Sequence, residues 1–176
     1  MVIKSFIYAI LLISTLIYFV PIANIQDKEN KKEIPLVSFN NSTMYTLNEQ
    51  TVTKIVNSKK ASRFETKDIM YEGNFILKAN DKKVKNATDY VSADVIIKQK
   101  EEFTFINNVK FRRDNFMTLN TQELFYNDKT KIARNTIYFS GTYYNHKLNG
   151  TNLYLDMNNE IMKSKNSHFE IDITKN

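Results

Sequence analysis

The chain has 176 residues, 42% of them hydrophobic and 25% charged, which suits one packed domain with a small appendage. It has no cysteine, which excludes a disulfide framework and a thiolate metal site. The net charge of +6 comes from basic residues interleaved with Asp and Glu, a pattern that argues against a nucleic-acid partner.

The first segment, residues 1–25, reads as a membrane anchor. Lys4 gives a short positive head, and residues 6–20 are apolar apart from Ser14, Thr15, Tyr8 and Tyr18. With the flanking apolar residues this reaches the roughly 17–25 residues that cross a bilayer. Phe6, Ile10, Leu11, Leu12, Leu16, Phe19 and Val20 are its candidate lipid-facing side chains. A cleaved signal peptide is the competing reading. It lacks a cleavage signal, because Pro21 stands where a small residue should precede Ala23. Lys28, Lys31 and Lys32 follow the apolar run and, by count alone, oppose an N-in orientation. A long domain translocates largely regardless of such charges, so the signal-anchor layout gives N-in, C-out. Residues 26–35 are then a polar tether, ending near Pro35.

Residues 36–174 form the second domain and show no sustained helical stripe. Apolar residues alternate with polar ones in Ala93-x-Val95-x-Ile97, Phe103-x-Phe105, Val109-x-Phe111, Ile137-x-Phe139-x-Gly141 and Phe169-x-Ile171-x-Ile173. Such alternation puts one row on an apolar face. With only 3 Gly and 2 Pro, turns fall to Asn, Asp and Lys. Turns are expected near Asn80, Asn107–Asn108, Asp114, Asp128, Asn145, Asn158 and Asn166. The expected class is all-β, an open jelly roll or sandwich of antiparallel strands with no long helix after residue 34. One stretch, residues 116–127, recurs. Leu124-Phe-Tyr-Asn lies 29 positions after Val95-Ile-Ile-Lys and 29 before Leu153-Tyr-Leu-Asp, a spacing that signals a repeated supersecondary unit. Between Leu119 and Leu124 the alternation slips by one, so a bulge or bend is expected at residues 121–123.

The inward rows give the candidate site: Ala93, Val95, Ile97, Phe103, Phe105, Val109, Phe111, Leu119, Leu124, Tyr126, Ile137, Phe139, Leu153 and Leu155. A dry core and a lipid groove both need one apolar face, so the pattern leaves both readings open. Gly141 and Gly150 suit turns or bulges. Lys59, Lys60, Lys82, Lys83, Arg112 and Arg113 are either solvated strand ends or contacts for lipid phosphate. His146 and His168 have no carboxylate at metal-ligand spacing, so neither a metal nor another cofactor is expected. Without a nucleophile elbow, phosphate loop or carboxylate pair, the chain does not read as an enzyme.

The ordered set Tyr90-Val-Ser-Ala-Asp-Val, Phe103-Thr-Phe-Ile-Asn-Asn-Val-Lys-Phe, Leu119-Asn-Thr-Gln-Glu-Leu-Phe-Tyr-Asn, Ile137-Tyr-Phe-Ser-Gly and Gly150-Thr-Asn-Leu-Tyr-Leu-Asp resembles the LptC family. These are membrane-anchored lipopolysaccharide-transport proteins related to LptA and to the periplasmic part of LptD. The resemblance spans residues 36–174, and the anchor and tether match the family layout. The family often has glycine before the valine of the second of these strands, where this chain has Asn107-Asn108. Asparagine also tolerates the left-handed backbone. The resemblance implies a single-pass protein of the bacterial inner membrane with a periplasmic open jelly roll. Its groove would hold lipopolysaccharide acyl chains. Its partners would be the LptF–LptG–LptB transporter and an LptA-like bridge protein joined by edge-strand pairing. It also implies that Gly141 lies near the exit end of the groove. The rival is a secreted, cleaved β-sandwich that binds carbohydrate or protein.

Overall fold

A computed structural model describes residues 33–49, 51–78, 87–159 and 161–173. The anchor residues Phe6 to Val20, most of the tether, and Lys82 and Lys83 lie outside the described residues. The chain divides into units 1–33 and 34–176, and the second carries every strand described below.

All regular structure among the described residues is β. The strands are β1 (Val37–Leu47), β2 (Val52–Arg63), β3 (Asp68–Lys78), β4 (Thr88–Gln99), β5 (Glu102–Arg113), β6 (Met117–Asn127), β7 (Ile132–Arg134), β8 (Tyr138–Tyr143), β9 (His146–Asp156) and β10 (Ile161–Glu170). They form one antiparallel meander in the order β1-β2-β3-β4-β5-β6-β7-β9-β10, with β8 also between β6 and β9. Most strands pair with the next in sequence, so the contacts are largely local and every pairing is antiparallel.

The sheet is creased across its middle. Asn41 of β1, Glu72 of β3, Asn107 and Asn108 of β5, Asn152 of β9 and Asn166 of β10 all have positive φ, between 48° and 60°. The ladders place them side by side. Asn41 falls opposite Lys59, whose row continues to Glu72, then Asp94, then the Asn pair, then Gln122. On the far side the same line passes through the break between β7 and β8, then Asn152, then Asn166. At Asn107–Asn108 and between β9 and β10 the register also shifts, which marks bulges that bend the strand and raise its twist; at Asn41 and Glu72 the left-handed residue sits in an unbroken register. Asparagine adopts that conformation more readily than any residue except glycine. Two expected turns are therefore corrected. Asn107–Asn108 and Asn166 do not separate strands; they bend β5 and β10 in mid-course.

The bend folds the sheet onto itself as two leaves. The register puts Phe75 in line with Val91 and Phe111, whereas Phe103 lies eight residues further along β5. At about 3.3 Å per residue those rings would be more than ~20 Å apart in a flat sheet. They meet edge to face with centroids 5.5 Å apart, and Phe75 also meets Phe105 at 5.8 Å. One leaf holds the β2, β3 and β4 segments on the Lys54, Leu77 and Asp89 side of the crease, with β8. The other holds the Phe103–Ile106 half of β5, the Glu123–Asn127 half of β6, and β7.

Polar groups line the outside of the crease and small ones the inside. Outside, Lys59 Nζ meets Glu72 at 2.6 Å, Asn108 Nδ2 donates to Asp94 at 2.7 Å, and the Asn108 amide donates to Gln122 at 3.2 Å. Inside lie Gly73, Ala93, Thr121 and Gly150, where larger side chains would hold the leaves apart. A Cβ on Gly73 would stand 2.5 Å from the Ile96 side chain, so this glycine is kept for space rather than for its φ. The bend expected at residues 121–123 is present. Thr121 and Leu124 are both buried, β6 pairs with β8 up to Thr121, and it pairs with β7 from Phe125. Asn135 fills the gap between β7 and β8. Its side chain donates to Thr121 Oγ1 (2.8 Å) and accepts from the Leu153 amide (3.1 Å), so the buried interruption is hydrogen-bonded.

Candidate functional site

The space between the leaves is not filled. One cavity, about 300 Å³, is walled by Phe75, Leu77, Val91, Phe103, Phe105, Leu124, Tyr126 and Ala133. A second, about 330 Å³, is walled by Met117, Leu119, Phe139, Leu148, Leu155 and Met162, with Phe116, Tyr143 and Tyr144 at its rim. Phe111, Arg113 and Met157 line both, so the two spaces share one partition. Each has the size and apolar lining of a small-molecule site.

Most of the sequence-derived site residues face this space or its floor. Ala93, Phe103, Phe105, Val109, Phe111, Leu119, Leu124, Phe139 and Leu153 are buried, while Tyr126 and Leu155 are partly buried against them. Ala93, Val109 and Leu153 sit at the floor near the crease, outside both cavity walls. Three expectations are corrected. Val95 and Ile97 are only half-buried, and Ile96 between them is fully buried. The crease passes through β4 between Ser92 and Val95 and shifts the alternation there, so Ile96 takes the inward place. Ile137 is exposed and lies in the break before β8 rather than on a strand. Gly141 lies within β8 and forms neither turn nor bulge. A Cβ there would collide with the Thr118 carbonyl, so it permits close approach of β6. Gly150 is likewise within β9 and packs under the Phe139 ring.

The closing alternation at Phe169, Ile171 and Ile173 is not a buried row. β10 ends at Glu170, and all three side chains are exposed. The repeat of 29 survives in two of its three copies: Leu124 and Leu153 are both buried just past the crease, whereas Val95 points away. Phe75, Val91, Ile96 and Met157 were missed as site residues. Val91 extends the row of Ala93 by two residues and could have been found from it; Phe75 stands in the unbroken apolar run Phe75-Ile-Leu77, and Met157 stands in a turn.

Charged groups close the space at the tips of the leaves. Asp89 and Arg113 form a two-point ion pair, at 2.7 and 2.9 Å, nearly buried at the tips of β4 and β5. Arg113 was read as solvated or lipid-contacting; it is instead held by Asp89. Lys54 Nζ reaches Asp128 at 3.1 Å, and Lys131 Nζ reaches the same carboxylate at 2.7 Å. The Tyr126 hydroxyl donates to it at 3.3 Å. Burial pushes the Asp128 carboxyl up, but hydrogen bonds from Lys131 and Lys54 outweigh it, so its pKa lies below the ordinary value. Burial, and then the Asp128 charge, push the Tyr126 phenol well above its usual range, so it stays protonated. Lys59 and Lys60 are exposed on β2, and Arg112 is exposed with its guanidinium stacked on Tyr90 at 4.3 Å. His146 and His168 sit on β9 and β10, and no metal-binding cluster occurs among the described residues.

Among the described residues, neither outer strand has a second neighbour. β1 and β10 end the strand order and leave one backbone edge of each unpaired within the sheet. β1 exposes Phe39, Tyr45 and Leu47, and β10 exposes Ile161 and Phe169. No protein-family model matches the chain, and no curated protein matches it.

Proposed function

We propose that this domain is a lipid carrier of the lipopolysaccharide-transport type. It is an open β-jelly roll whose interleaf cavities take acyl chains, set behind a single N-terminal membrane helix. The observation that carries the reading is the pair of apolar cavities enclosed by two leaves of one sheet whose two end strands are both open. Each buried CH₂ contributes about 0.8 kcal/mol, so an acyl chain moving from one such groove to a similar one undergoes little net change in free energy. Transfer then needs no covalent chemistry, which agrees with the lack of a catalytic constellation in the sequence. The open edges suit main-chain pairing with neighbouring grooves. In this reading the partners are the LptF–LptG–LptB transporter at one end and an LptA-like bridge at the other. The location is the periplasmic face of the bacterial inner membrane.

The test is lipid analysis of the full chain extracted from cell envelopes in mild detergent. Lipopolysaccharide bound in a stoichiometric amount is the expected result. Lipid-free protein, or a bound glycan with no acyl chain, contradicts the reading and favours the secreted binding module.

A further inference from the structure

The Lys54–Asp128 ion pair occupies an unusual place. Lys54 pairs with Leu77, which pairs with Asp89, which pairs with Arg113: these are the tips of one leaf. Asp128 follows Asn127, which pairs with Glu102 at the tip of the other. Arg113 and Glu102 are the two ends of β5, so in a flat sheet the partners would be ~35 Å apart. Lys59–Glu72, Arg63–Asp68, Arg113–Asp89, Lys131–Asp128, Lys147–Glu170 and His168–Glu170 all join neighbouring strands or residues close in sequence. This one spans the gap between the leaves at the opening of the first cavity, where both partners line the wall.

The opening is also basic. Lys54, Lys78 and Lys131 stand at it with Asp128 as their counter-charge, while Arg113 and Asp89 offset each other. Lys54 Nζ is held 5.2 Å above the Phe103 ring, so its charge stays over the apolar wall instead of swinging into solvent. Both lysines at Asp128 already hold a carboxylate oxygen at charge-assisted distance. We propose that this cluster is the head-group subsite for an anionic amphiphile. A phosphate or carboxylate attached to an acyl chain replaces Asp128 on Lys54, with Lys131 as the second contact, and thereby unfastens the leaves as the chain enters. Asp128 is the built-in competitor that keeps the empty groove closed. This assignment rests on the lipid-carrier reading of the cavity and adds to it the residues that take the head group and the latch it releases.

The test compares dodecyl phosphate, the uncharged dodecyl maltoside and inorganic phosphate. Each is titrated, below any micellar concentration, into the full chain held in an amphipathic polymer, with polymer alone as blank. Dodecyl phosphate should bind more tightly than the maltoside, and inorganic phosphate should neither bind nor compete at matched concentration. Lys131→Gln should weaken dodecyl phosphate roughly fivefold and leave the maltoside unchanged, as expected for loss of one charge-assisted bond. Lys54→Gln also opens the latch, so it should lower the preference for dodecyl phosphate over the maltoside roughly fivefold without weakening the maltoside. Asp128→Asn should tighten dodecyl phosphate, because the competitor is gone. Maltoside affinity no weaker than that of the wild type is the control that each variant is folded. Equal binding of both amphiphiles, with no response to the lysine variants, overturns the subsite and leaves the carrier reading standing. Competition by inorganic phosphate overturns the amphiphile assignment. Failure of the wild-type chain to take up either amphiphile overturns the carrier reading and the subsite with it.

Discussion

β5 and β1 are strands of nearly equal length, 12 and 11 residues, each laddered to its neighbours, and they differ in what their side chains touch. On β5 every second residue from Phe103 to Phe111 is buried except Asn107 at the bend, with Phe105 only 3% exposed. On β1 almost nothing is, and Phe39 is 58% exposed. Backbone pairing with β2 is enough to place β1 in register, and burial is a separate event that follows from the crease. The molecule thus has a middle stabilised by packing and ends held by one ladder, and its open edges are where further pairing would cost least.

The largest expected contrast comes from truncating one phenylalanine at each place. Phe105→Ala should lower unfolding stability by about 3–5 kcal/mol, and Phe39→Ala should stay within about 0.5 kcal/mol. Denaturant unfolding of the full chain measures both, and similar losses would mean that β1 is packed against something. Next comes the face assignment on β4. Ile96→Ala should cost about 2–5 kcal/mol, whereas Val95→Ala should cost about 1 kcal/mol or less. The reverse order would return β4 to simple alternation and remove its crease.

A smaller effect tests the crease itself. Asn107 has φ of 60°, so Asn107→Ala should destabilise by about 1 kcal/mol while Asn107→Gly is neutral or stabilising. Equal effects of the two would leave the left-handed backbone without energetic weight. The smallest effect is the acid response of the latch. The Asp128 carboxyl is depressed in the folded chain, so its contribution is complete above the ordinary carboxyl pKa, about 4, and disappears as pH falls through the lower folded value. The wild-type and Asp128→Asn unfolding curves should therefore differ at pH 7 and converge in strong acid. A constant offset across that range would show that Asp128 does not contribute through its charge.

Much of this architecture is legible in the sequence because strand periodicity is strict wherever the sheet is straight. The inward row of β5 and the slip in β6 are both readable from apolar spacing. What periodicity does not reveal is which asparagine pairs end strands and which bend them. Asn127 and Asn158 lie at turns and Asn107–Asn108 in mid-strand, yet the residue chemistry is the same, since both places need a left-handed or self-bonding residue. That ambiguity moved Ile96 out of the predicted row and brought Val95 and Ile97 in, because the bend in β4 carries no marker of its own. The contact of Phe75 with Phe103 and the reach of Lys54 to Asp128 are invisible for a different reason. They depend on folding the sheet along a line of left-handed residues, and no local pattern encodes what meets across the fold. β1 alternates only in the short pieces Val37-x-Phe39 and Tyr45-x-Leu47, separated by a polar stretch, so periodicity marks it weakly.

The central claim is that the space between the leaves carries lipid. The most direct measurement is site-specific photo-crosslinking in intact envelopes, with a photoreactive residue placed in turn at Tyr126, Leu155, Phe125 and Tyr138. Tyr126 and Leu155 line the two cavities, while Phe125 and Tyr138 are exposed on the same strands or their neighbours. The account predicts lipopolysaccharide adducts at the first two positions and none at the others. Labelling that is equal at all four positions, or absent from the two cavity positions at normal protein levels, contradicts it.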